Sequence, residues 1–137
     1  MNVMSFMALR HTSAAALSAL SILGVAPFAR ADIKDFEFQL TTKTVNMGDA
    51  IVAVRLIHKP DGKAVSDAVI FAKRLDMAPE GMETMTTTIE PAPSVEPGVY
   101  RFRVDLSMEG AWRLSLAAKV QGEIGAVENR LILKASP

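Results

Sequence analysis

Hydrophobic and polar residues alternate with a period of two along most of the chain beyond residue 35. The pattern is clearest near the end. Tyr100, Phe102, Val104 and Leu106 alternate with Arg101, Arg103 and Asp105, and Trp112, Leu114 and Leu116 alternate with Arg113 and Ser115. Alternation of this kind sets one face of a strand against a core and leaves the other in water. The same reading predicts strands at 36–42, 50–57, 68–75, 84–90 and 126–133. Val52, Val54 and Leu56 face inward in one of them, and Val69, Phe71 and Leu75 in the next. Turn chemistry separates them. Pro60-Asp61-Gly62 supplies a fixed φ and a residue tolerant of positive φ, Gly122 to Gly125 forms a second turn, and Pro91, Pro93 and Pro97 end the 84–90 segment.

About seven short strands, with no segment of helical period and no internal repeat, predict an all-β domain. The expected architecture is an immunoglobulin-like two-sheet sandwich, with a closed barrel as the structural alternative. The 100–106 and 112–116 strands are expected to form a hairpin over a five-residue link. That register sets Leu106 opposite Trp112, Val104 opposite Leu114 and Asp105 opposite Arg113. A three-residue link would instead oppose Arg103 and Arg113, a like-charge pair. Trp112, the single tryptophan, is the expected core anchor between the sheets. Tyr100, just past Pro97-Gly98, suits either a corner tyrosine bonded to nearby backbone or plain core packing.

The first 31 residues change the picture of where the domain works. A polar start with Arg10 and His11, an apolar run over 14–26 and Ala29-Arg30-Ala31 predict a signal peptide cleaved after Ala31 and a periplasmic product. The run is shorter than the roughly 20 residues of a spanning helix. Residues 32–137 then form one domain. The chain has no cysteine, which excludes disulfides, thiolate metal sites and lipid attachment at a processed cysteine. Arg10 and Arg30 are the charges of the leader, so the remainder is slightly acidic, which argues against nucleic acid. No small-molecule substrate is evident.

Catalytic chemistry is not expected. His58 is the one histidine beyond residue 31, and no nucleophile, acid and base converge in the sequence. Asp76, Glu80 and Glu83 read as a loose acidic set serving solubility on an exposed loop. Methionine is the residue with chemical character. Met77, Met82 and Met85 follow the spacing M-x4-M-x2-M, with Pro79 and Gly81 bending the chain between them. Three thioethers facing one point suit Cu(I), a soft ion, and Met108 or His58 would complete the set if the fold brings their loops together. Two other readings stay open. Met77 continues the inward alternation, and Met82 and Met85 suit an apolar lid over the end of a sandwich or an adaptable patch for another protein.

The run HKPDGKAVSDAVIFAKRLDMAPEGM (58–82) and the run PGVYRFRVDLSMEGAWRLSL (97–116) resemble the YtkA-like domain shared with FixH-type proteins. The resemblance lies in the Asp-Gly turn, the methionine-proline-glycine-methionine loop, the Pro-Gly-x-Tyr start and the Met-x-Gly-x-Trp hairpin. It implies an extracytoplasmic immunoglobulin-like sandwich, from a family in which some members accompany copper transport, oxidase assembly or heavy-metal efflux machinery. It also implies a methionine loop at Met77, Met82 and Met85 and a hairpin methionine at Met108. Two departures stand out. FixH-type proteins usually keep a membrane anchor, and the loop here holds Glu80 and Glu83 without further histidine, which disfavours Cu(II). The expectation is an exported, non-catalytic accessory module that handles Cu(I) or assists a copper-dependent periplasmic or membrane complex. The alternative is a structural or protein-interaction sandwich with no metal site.

Overall fold

The structure, a computed structural model, describes residues 32–137; the expected export segment lies outside them. A 3-10 turn at Ile33–Asp35 leads into ten strands: β1 (Phe36–Leu40), β2 (Thr44–Asn46), β3 (Gly48–His58), β4 (Lys63–Ala64), β5 (Val69–Met77), β6 (Met82–Thr87), β7 (Ile89–Ala92), β8 (Val99–Leu106), β9 (Gly110–Lys119) and β10 (Val127–Ser136). They form two five-stranded sheets, ordered β1-β3-β8-β7 with β4 beside β3, and β2-β10-β9-β5-β6. The pairing is antiparallel except between β2 and β10. The inward faces of the two sheets supply a single core in which Phe38, Val54, Leu56, Leu75, Trp112, Leu114 and Leu133 are all buried. This is the predicted all-β sandwich, with ten strands where about seven were expected.

Tyr100 decides between its two readings. Its hydroxyl donates to the Val65 carbonyl at 2.8 Å and accepts from the Ala68 amide at 3.1 Å. It thereby satisfies the backbone of the loop that enters β5, as a corner tyrosine does.

Three expectations are corrected. First, β8 and β9 do not form a hairpin. β8 pairs with β3 and β7, while β9 pairs with β5 and β10, so the chain crosses between sheets at 107–109. Asp105 lies opposite Asp49, Arg113 opposite Asp76 and Ile132, and Trp112 opposite Leu133. Alternation specifies which face is buried but not which strand is the neighbour, and a short link serves a sheet crossing as well as a hairpin.

Second, the 84–90 strand is two strands. β6 belongs to one sheet and β7 to the other, with the switch at Thr88. Pro91 lies within β7 opposite Phe102, tolerated because β7 is an edge.

Third, Val69 and Phe71 face solvent, at 65% and 57% exposure. A bulge between Ile70 and Ala72 re-phases β5, turning Ile70 onto the core while Leu75 and Met77 stay inside.

Candidate functional site

One pole of the sandwich collects the methionines. β5 ends at Met77, and a 3-10 turn over Ala78–Glu80 follows, with Pro79 in its first turn and Gly81 in the left-handed region at φ +75°. The chain then doubles back so that Met82 lies opposite Met77. The link from β8 to β9 meets this turn. The Glu80 carboxylate accepts from the Ala111 amide at 2.8 Å, and the Trp112 indole N–H donates to the Met108 carbonyl at 3.0 Å. Gly110 sits between them at φ +124°, where a Cβ would come within 3.0 Å of Glu80 Oε1 and 3.4 Å of the Met77 methyl. Glycine is required there for both backbone and space.

Behind the turn lies Asp76, which is 0% exposed and not on a solvated loop as its sequence context suggests. It accepts from Arg74 Nε at 2.9 Å, from an Arg113 terminal nitrogen at 3.0 Å and from the Ala78 amide at 2.9 Å. Burial is the largest single influence and pushes its carboxyl up. The hydrogen bonds from Arg113, Ala78 and Arg74 outweigh that and hold it below the usual carboxylate range. The same contact raises Arg113. Arg74 also donates to the Glu83 carbonyl at 2.9 Å, and the Glu83 carboxylate stands 3.6 Å from Arg113. All three acids of this stretch therefore bind within the pole.

The sulfur residues are not equivalent. Met77 has no solvent exposure and belongs to the core, Met82 and Met85 are half-buried against it, and Met108 is 37% exposed on the link. Met47, to which the sequence reading gave no role, is 41% exposed at the same pole. Its amide donates to the Ser136 carbonyl at 2.7 Å, and its neighbour Gly48 lies opposite Leu106. All five methionines of the described residues thus gather at one end. Nothing in the local pattern around Met47 signals this, because its position depends on where β2 and β3 dock.

His58 is at the other end. β3 starts at Gly48 beside the methionine pole and finishes at His58, a run of about 33 Å at roughly 3.3 Å per residue. There the His58 Nδ1 lies 2.9 Å from Asp61 Oδ1 and its ring centroid 5.0 Å from that of Phe36. His58 is therefore removed from the candidate donor set.

The chemistry of the remaining donors is narrow. Among the described residues no three His, Cys, Asp or Glu side chains are grouped as a metal site. Thioethers are left, and they fit a soft monovalent ion such as Cu(I) better than a hard divalent one. A separate groove of about 530 Å³ between β5 and β7–β8 is lined by Ile70, Lys73, Glu96, Tyr100 and Phe102 among others.

The two motif blocks of the sequence therefore meet in space, the methionine turn against the link that starts β9. The family model described as YtkA-like matches residues 30–117. The chain belongs to the YtkA-like family. The match to the YtkA-like model stops within β9, yet β10 pairs along that strand and places Leu133 opposite Trp112. No curated protein matches this YtkA-like chain. Among solved structures, a crystal structure of the Lin-41 filamin domain is similar at 18% identity and a TM-score of 0.45, over 77% of this chain and 94% of that one.

Proposed function

We propose that this YtkA-like domain is an exported, non-catalytic accessory module of the periplasm that handles Cu(I) at its methionine pole for a copper-dependent membrane complex. The observation that carries the reading is the gathering of every described methionine at one end, around a turn tied to the start of β9 by the hydrogen bond from the Ala111 amide to Glu80. Soft sulfur is the donor chemistry that distinguishes this pole, and Asp76 and Glu80 within the turn are already bound to backbone and arginine partners. A thioether keeps its lone pairs free at any physiological pH, whereas thiol and imidazole donors compete with protons. The test is Cu(I) titration of the purified protein under reducing conditions. Replacing Met82, Met85 and Met108 together by leucine is expected to abolish high-affinity binding. Retention of the parent affinity in that variant would overturn the reading.

A second reading has its own support. Met77 is wholly buried and Met82 and Met85 pack on the core, which is how methionine behaves as filler. On that reading the pole docks a protein partner and no metal. It predicts that Cu(I) leaves the melting temperature unchanged, whereas a ligand bound only by the folded state raises it.

A further inference from the structure

Met47 lies outside the motif blocks, and the fold alone brings it to the pole. Two register relationships place it. Gly48, the next residue, lies opposite Leu106, and Ser136, whose carbonyl accepts the Met47 amide at 2.7 Å, follows Ala135, which lies opposite Gly110. Leu106 and Gly110 bracket the link that carries Met108. Met47 therefore borders both ends of that link. It is also the most exposed of the five described methionines, at 41% against 37% for Met108. Its neighbour Gly48 has φ +92° with no atom within 4 Å of a Cβ there, so the turn beside it is open.

We infer that Met47 is a further thioether donor of this pole, and that the donor set a soft monovalent cation can reach is Met47, Met82, Met85 and Met108, without Met77. The inference rests on the function proposed above. An ion arriving from solvent meets exposed sulfur first. Met47 and Met108 offer it, and an unbranched side chain on an open turn can swing to meet the ion. Met77 cannot do so without leaving the core, since its methyl already lies against Gly110 and its side chain has no solvent exposure. Met77 thus supports the turn, and Met47 takes its place as ligand.

The test uses silver(I), a soft monovalent ion that does not cycle its oxidation state, and hydrogen peroxide footprinting of the full chain read by mass spectrometry. Each reactive thioether takes one oxygen from peroxide and leaves water, and a coordinated sulfur, having given one of its two lone pairs to the cation, is a much weaker nucleophile for that step. At silver ten times its Kd, oxidation of Met47 and Met108 should slow about tenfold, the inverse of the unloaded fraction. Met77 should be slow with and without silver. Met47→Leu, which keeps apolar bulk, should weaken silver binding without moving the urea midpoint. Unchanged oxidation of Met47 while Met82, Met85 and Met108 are protected overturns this inference and leaves the proposed function standing. Unchanged silver affinity in Met47→Leu does the same. Protection of no methionine overturns both.

Discussion

The Glu80 carboxylate accepts a hydrogen bond from the Ala111 amide at 2.8 Å across 31 residues of sequence, tying the turn after β5 to the first residues of β9. The contact explains why an acidic residue occurs inside a methionine turn. It serves the backbone of a neighbouring strand. Glu80→Ala should cost about 1–2 kcal/mol, as for loss of a hydrogen bond to a charged group at a partly solvated site. Urea denaturation gives the stability change. Faster hydrogen exchange at the Ala111 amide would localise it, and unchanged exchange there would mean that the contact contributes nothing in solution.

Asp76 is the buried charge on which the pole depends. Asp76→Ala leaves Arg113 and the Ala78 amide without their acceptor, so the expected loss is about 3 kcal/mol, the low end for breaking a buried pair because Arg113 keeps some access to water. The pH dependence follows from the depressed carboxyl. A group whose folded value lies below its unfolded value, near 3.8 here, contributes stability above that pH. The contribution is lost as the pH falls through the folded value. Thermal melts between neutral pH and pH 2 should show a steep acid limb in the parent and a shallower one in Asp76→Asn.

Gly110 and Gly122 separate crowding from backbone strain. Both have positive φ, but a Cβ at Gly122 meets nothing within 4 Å, whereas one at Gly110 meets Glu80 and the Met77 methyl. Gly122→Ala should cost about 1 kcal/mol of conformational strain. Gly110→Ala should cost more, about 2–4 kcal/mol, because strain and overpacking add. Equal midpoints for the two variants in urea would show that the turn yields to the extra methyl.

Met77 tests packing against ligation. Truncation to alanine in a fully buried site is expected to cost about 2–5 kcal/mol, while Met77→Leu, close in volume, should cost less than about 1.5 kcal/mol. Met77→Leu should also leave Cu(I) affinity at the parent value. A large affinity loss in that folded variant would restore Met77 to the donor set.

Period-two alternation, proline and glycine punctuation and the absence of helical period were enough to read the class of fold, because burial of one strand face is a local property of the residues in that strand. The core role of Trp112 and the corner role open to Tyr100 were visible for the same reason, as was the chemical character of the methionine turn. Tertiary structure alone decided which strands are neighbours. Sheet partners are set by long-range packing, so the 107–109 link became a crossing where a hairpin was expected, and 84–90 divided between sheets. One bulge beside Phe71 reversed the facing of Val69 and Phe71, a change that no count of alternating residues contains. Distance did the rest. The eleven residues of β3 carried His58 away from the sulfur atoms, and the docking of β2 against β10 brought Met47 to them, since position in the chain does not determine position in a sheet.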